Sequence, residues 1–302
     1  MEELLFKIKK LKKEKDAVIL AHYYVNDEIQ EMADYVGDSY YLSKIAVELP
    51  QKVIVFCGVT FMGESAKILS PQKTVIMPEV NADCPMAHMA EIEKIRAVRE
   101  QYDDLAVVCY INSTAEIKKF VDVCVTSSNA LKIVKALPQQ NIYFVPDQNL
   151  GQYIASKVPE KNFIFNDGYC HVHDEIMIDE LEAAKAAHPN AKVLVHPECT
   201  MTIIGAADYV GSTSGIIDFA TASDADEFII GTEIGILYQL KKNNPDKKFY
   251  PINKNQICPN MKKISLQKVA YALENGTNQM EVDDETRTKA VLALEKMLEL
   301  SK

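Results

Sequence analysis

Arginine is nearly missing from this chain, which carries only Arg96, Arg99 and Arg287 in 302 residues. The net charge is −10, so no basic surface is left to hold nucleic acid. No segment approaches the ~18 consecutive apolar residues of a membrane span. The N-terminal segment opens on Glu2 and Glu3 and lacks the apolar centre of a secretion signal. Its Lys9, Lys10, Lys12 and Lys13 alternate with Leu4, Leu5, Ile8 and Leu11 and read as the solvated face of one amphipathic helix. There is no Gly/Ser/Pro-rich linker. Neither the Cys-x-x-Cys pairs of zinc ribbons nor the Cys-x-x-x-Cys-x-x-Cys run of radical enzymes occurs. With 48% hydrophobic and 25% charged residues, the expectation is a cytoplasmic globular protein with several close-packed cores.

What is present is a repeat. Three segments align without a gap, led by His22, Tyr110 and His196. An aspartate follows 12 residues after each leader (Asp34, Asp122, Asp208), and a hydroxyl residue 17 after it (Ser39, Ser127, Thr213). Each leader ends an apolar run, Val18–Ala21, Ala106–Cys109 or Val193–Val195, which reads as a buried parallel strand. A helical stretch follows (27–35, 113–120, 199–206), then a hydroxyl-rich turn and a second helix. A second strand comes next (53–56, 142–145, 228–230), another helix (60–69, 149–157, 234–243), and a third strand (73–77, 161–165, 247–250). Segments 87–104 and 262–302 read as helices outside the repeat. The fold class is therefore α/β: three α/β/α sandwich units with parallel sheets, related by a pseudo-three-fold axis. The expected boundaries are 1–87, 88–173 and 174–262, with a helical tail, 263–302, packing back on the first unit.

Seven cysteines, an odd number in a large chain, argue against a disulfide framework. A lone cytosolic cysteine is most often a buried structural thiol, and Cys57, Cys109, Cys124 and Cys199 have no counterparts in the other repeats. Cys84, Cys170 and Cys258 do, lying 62, 60 and 62 residues after their leaders in polar loops that follow the third strands. Ligands of open parallel sheets bind beyond the carboxyl ends of the strands. Three thiols around one axis would thus hold a metal or cluster there, zinc or [4Fe–4S]. The turns Gly37-Asp38-Ser39, Thr126-Ser127-Ser128 and Gly211-Ser212-Thr213 each open a helix and offer N–H groups to an anion, beyond ordinary capping. In a chain so poor in arginine, helix ends and hydroxyls would carry anion recognition. His22, Tyr24, Tyr110, His196 and Glu198 gather acid–base capacity at the strand ends. His171 and His173 flank Cys170 and either orient its loop or are ordinary loop residues; His88 has no repeat partner.

The motifs Ala21-His22-x-Tyr24, Gly37-Asp38-Ser39, Tyr110-Ile111-Asn112, Thr126-Ser127-x-Asn129-Ala130, His196-Pro197-Glu198-Cys199 and Gly211-Ser212-Thr213, with the three cysteine loops, resemble those of the quinolinate synthases of NAD biosynthesis. The resemblance spans nearly the whole chain. It implies a [4Fe–4S] cluster on Cys84, Cys170 and Cys258, central to the three units. It implies condensation of iminoaspartate with dihydroxyacetone phosphate to quinolinate, phosphate and water, with an open iron as Lewis acid. Catalytic roles fall on Tyr24, Glu198, His196 and Tyr110. Substrate contacts fall on His22, Ser39, Tyr110, Ile111, Asn112, Ser127, His196, Pro197, Glu198 and Thr213. An aspartate oxidase or dehydrogenase would supply the unstable imine. Tyr23 stands where relatives often have Asn, and the Cys258 loop lacks further cysteines, which argues against a regulatory disulfide there. Another [4Fe–4S] hydro-lyase acting on a hydroxy acid is the competing enzyme reading, and an iron–sulfur sensor or carrier the non-enzymatic one.

Overall fold

The leading apolar runs have no polar face, so each needs cover on both sides. The computed structural model describes residues 2–302 and gives each run that cover. The first unit runs α1 (Glu2–Glu14), β1 (Ala17–His22), α2 (Asp27–Met32), β2 (Tyr35–Gly37), α3 (Ser39–Glu48), β3 (Val53–Cys57), α4 (Thr60–Leu69), β4 (Thr74–Ile76). The second runs α5 (Ile92–Gln101), β5 (Leu105–Tyr110), α6 (Ala115–Lys118), β6 (Val123–Val125), α7 (Ala130–Ala136), β7 (Asn141–Val145), α8 (Gln148–Lys157), β8 (Asn162–Phe165), followed by the short α9 (His171–Asp174). The third runs α10 (Ile178–Ala187), β9 (Lys192–Val195), α11 (Met201–Gly205), β10 (Tyr209–Val210), α12 (Thr213–Ala222), β11 (Glu227–Gly231), α13 (Ile236–Asn243), β12 (Lys248–Pro251). Helices α14 (Leu266–Asn275) and α15 (Asp284–Leu300) close the chain.

All strand pairs are parallel, and the three sheets share one order: β2-β1-β3-β4, β6-β5-β7-β8 and β10-β9-β11-β12. The fold is thus the expected three-fold α/β repeat, with two differences. Each unit has four strands rather than three. The extra edge strands, β2, β6 and β10, are only two or three residues long and lie where the sequence reads as helix or turn. The helix at 92–101 is also not outside the repeat, since α1, α5 and α10 each precede the leading strand of a unit.

The repeated aspartates explain the edge strands. Asp34, Asp122 and Asp208 each accept a hydrogen bond from the backbone N–H of Ile19, Val107 and Val193 on the leading strand, at 2.7–2.8 Å. Each also donates its own backbone N–H to the carbonyl of that same residue, at 2.9–3.0 Å. A carboxylate here satisfies a strand donor that no neighbouring strand reaches.

Hydrophobic burial divides the molecule unequally. The first two units and the tail share one continuous apolar core, whereas the third unit has two small cores of its own. Helix α14 packs on α1, and α15 lies against α4 of the first unit and α6, β6 and α7 of the second. The third unit docks on the first through closely approaching backbone. A Cβ on Gly235 would stand 2.7 Å from the Tyr23 carbonyl and 2.8 Å from the Tyr24 Cα, so only glycine allows this approach. The Gln30 side chain clamps the contact, donating to the carbonyls of Tyr23 (2.8 Å), Val25 (3.2 Å) and Gly235 (2.9 Å).

Candidate active site

One backbone bond sets all three cysteine loops. Thr60 and Gln148, the first residues of α4 and α8, and Ile234, in the turn before α13, donate their N–H to the carbonyls of Ala82, Gly168 and Gln256 at 2.8–2.9 Å. Each acceptor lies two residues before its cysteine. Cys84 and Cys170 then open short helical turns, and Cys258 precedes another. Amides of Met86 and Ala87 point at the Cys84 sulfur, and those of Asn260 and Met261 at the Cys258 sulfur.

The three thiols line one cleft, partly open to solvent. Around them stand His22, Tyr24, Ser39, Tyr110, Asn112, Ser127, His196, Glu198 and Thr213. Ile111 and Pro197 are buried behind the wall and do not line it. Cys57, Cys109 and Cys124 sit fully buried in strands, Cys199 is fully buried in the turn after β9, and none of the four lines the cleft. His88 is exposed and contacts Asp83 at 2.7 Å. Ser39 and Thr213 are the first residues of α3 and α12, which are capped by the Asp38 and Ser212 side chains. Ser127 differs: its helix opens only at Ala130, so it lies in a turn rather than at a helix start.

The polar network is dense. His22 Nδ1 accepts the Tyr24 N–H (3.2 Å), which leaves the ring hydrogen on Nε2. His196 Nε2 lies 3.1 Å from Ser127 Oγ. Glu198 Oε2 lies 3.0 Å from His173 Nδ1 and 3.2 Å from His196 Nδ1. Its other oxygen, Oε1, is buried without a partner, as is Asn112 Oδ1. Two orphaned acceptors in a cleft are groups awaiting a ligand. Nothing in the sequence singles out Thr232, and it marks His173 only as a neighbour of Cys170. His173 Nδ1 also lies 3.2 Å from Cys170 Sγ, and its Nε2 lies 2.8 Å from Thr232 Oγ1. Tyr24 Oη contacts Thr232 Oγ1 at 2.7 Å and Thr213 Oγ1 at 2.9 Å. Glu233, fully buried, holds the Cys258 amide (3.1 Å) and pairs with Lys262 (3.0 Å). Lys262 in turn donates to the Tyr24 carbonyl at 2.7 Å.

Burial governs the protonation states. It lowers His22 to about 3, helped by His196, and lowers His196 against the pull of Glu198. It pushes the Glu198 carboxyl up, but the two imidazoles beside it outweigh this and hold it below the usual range. Burial and the Glu198 charge raise the Tyr24 and Tyr110 phenols well above theirs. The thiols rise too, all through burial first: Cys84, to about 12, with repulsion from Cys258 after it, Cys170 with repulsion from Glu198 and then from the other two cysteines, and Cys258 against the pull of the Met261 and Asn260 amides.

A profile of the family described as Quinolinate synthetase A protein matches residues 6–299. The chain belongs to this family. Among relatives named quinolinate synthase, that of Caldicellulosiruptor bescii is 54% identical over 300 residues, 99% of each chain. That of Fusobacterium nucleatum is 55% identical over 295 residues, 98% of each, and that of Clostridioides difficile 53% over 300 residues, 99% of each. A quinolinate synthetase is an enzyme, and the ring of imidazoles, phenols and carboxylate around the three thiols equips the cleft for proton transfer. Among the described residues no helix is long and apolar enough to cross a membrane.

Two donor sets here suit a metal. Cys170, His173 and Glu198 place ligand atoms within 4.8 Å of one another, but His173 and Glu198 already satisfy each other by hydrogen bonding. The three thiols have no such mutual partner. They are kept from ionising by burial, yet at Cys84 and Cys258 backbone amides point at the sulfur. That combination fits thiolates held by an iron–sulfur core, whose positive charge offsets theirs.

Proposed function

We propose that this enzyme condenses iminoaspartate with dihydroxyacetone phosphate, yielding quinolinate, phosphate and water in NAD biosynthesis, with a [4Fe–4S] cluster held by Cys84, Cys170 and Cys258. The observation that carries the reading is one cleft joining a thiol from each unit to His22, Tyr24, Tyr110, His196 and Glu198. When bound, the cluster supplies Lewis acidity at an iron with no protein ligand.

The chain's own residues do the rest. The substrates bring two carboxylates and a phosphate, yet no lysine or arginine lines the cleft. Anion binding therefore falls to the N–H groups at the starts of α3 and α12, to the Ser39, Ser127 and Thr213 hydroxyls, and to His22 Nε2–H. Asn112 Oδ1 and Glu198 Oε1, both unpartnered, take the substrate's N–H or O–H groups. Glu198 is the proton acceptor best placed for imine and enol steps, because it is ionised and free at one oxygen. Tyr24, its phenol raised far above neutrality, is a proton donor.

Anaerobic protein should contain iron and sulfide in equal amounts and form quinolinate only when the three-carbon phosphate is supplied. Replacing Cys84, Cys170 or Cys258 by Ser should each remove the cluster's absorbance, while Cys57→Ser and Cys124→Ser keep it. Cluster-loaded enzyme that forms no quinolinate, or that dehydrates a hydroxy acid without the phosphate, would refute the reaction.

A further inference from the structure

We propose that Thr232 is a positioning residue for the reaction: its hydroxyl, bound between Tyr24 Oη and His173 Nε2, holds the Tyr24 phenol in place. The inference deepens the functional reading above, since it rests on Tyr24 as a proton-transfer residue.

Thr232 Oγ1 lies 2.8 Å from His173 Nε2 and 2.7 Å from Tyr24 Oη, so one hydroxyl bridges the two rings. His173 is itself held at Nδ1, 3.0 Å from Glu198 Oε2 and 3.2 Å from Cys170 Sγ. Thr213 Oγ1, 2.9 Å from the same phenol, is its second partner.

The two partners of Tyr24 differ in kind. Thr213 lines the cleft, so an incoming ligand can take its place. Thr232 is fully buried and does not line it, so its bond persists through a reaction cycle. Tyr24 is therefore still anchored on its buried side when a ligand takes the place of Thr213. Matching the three units also sets this position apart. Counted from the matched amide donors Thr60, Gln148 and Ile234, its equivalents in the other units are Gly58 and Pro146, which have no hydroxyl. The three-fold pattern is broken on the one side chain that joins Tyr24 to the Glu198–His173 pair.

Thr232→Val, isosteric but without the hydroxyl, should lower kcat about tenfold or more with KM within about threefold, and Thr232→Ser should recover to within about threefold of the parent. Tyr24→Phe combined with Thr232→Val should be no slower than Tyr24→Phe alone. Iron and sulfide per chain should stay at the parent level. In crystals of the cluster-loaded Thr232→Val protein, the Tyr24 phenol should leave its place. Parent-like kcat, a serine variant as impaired as the valine one, additive losses, or a Tyr24 phenol that has not moved would each overturn the proposal. Loss of iron would do so too, because Thr232 would then act on the Cys170 loop through His173. If the parent enzyme makes no quinolinate, the functional reading fails by itself, and the crystals still decide the role of Thr232.

Discussion

His22 shows how a buried group that lines the cleft also shapes stability. Its ring is 5% exposed and its pKa is driven from 6.5 to about 3 by burial, with His196 adding to the fall and Glu198 opposing it. Between those values the unfolded chain binds a proton that the folded chain refuses, so stability rises with pH. The contribution is complete above about pH 6.5 and is lost as pH falls towards 3; at pH 5 the loss is about 2 kcal/mol. Denaturant titrations at pH 7 and pH 5 should show this slope, and His22→Gln should flatten it. Among the site residues, His22, Tyr110, His196 and the three cysteines were legible because each occupies a matched position in the repeat. Thr232 and Glu233 were not: their importance lies in contacts with residues far along the chain, such as Thr232 with Tyr24, and nothing local marks them. His173 was marked only by its place beside Cys170, which left its contacts with Glu198 and Thr232 unseen. Ile111 and Pro197, named by resemblance alone, stand behind the wall rather than on it.

Among the elements, the helices between the edge and second long strands share a stop signal that the sequence hid. Lys73 donates to the carbonyls of Ala46 (2.7 Å) and Leu49, at the end of α3. Lys161 does the same to Leu137 (2.6 Å) and Gln139 (2.7 Å) after α7, and Lys247 to Ala220 (2.8 Å) and Ser223 (2.5 Å) at the end of α12. Each lysine precedes the last strand of its unit, so it bolts that strand to a helix end whose carbonyls have no helical partner. Lys73, 6% exposed, offers the cleanest test. Lys73→Met should cost about 1.5–3 kcal/mol of unfolding free energy in denaturant, the range for buried bonds to a charged donor. In the sequence a single lysine before a strand carries no message, and its role emerges only when three are superposed. The edge strands were missed for another reason: two or three residues are too few for an alternating pattern to form. The long strands were plain because runs such as Val18–Ala21 are buried on both faces.

The whole molecule is held together unevenly, and the seam runs through the cleft. Units one and two are fused by a common core, while the third meets them largely through polar bonds among the site residues. Tyr24 with Thr213, Asp38 with Ser214 (2.7 Å) and Ser127 with His196 all cross it. The approach at Gly235 sets how closely the third unit sits. Gly235→Val should push the units apart by about an ångström and lower kcat/KM tenfold or more, on the order of what small misplacements cost elsewhere. Its helical content should not change, which circular dichroism beside anaerobic kinetics will check. The bond that sets each cysteine loop bears on the repeat itself. As architecture the three units are redundant, since each carries its own strand anchor, helix stop and loop anchor. As chemistry they are not, because each provides a single thiol. Copying a unit therefore multiplies the scaffold, but losing any one of them leaves a ligand set that no sister unit can complete.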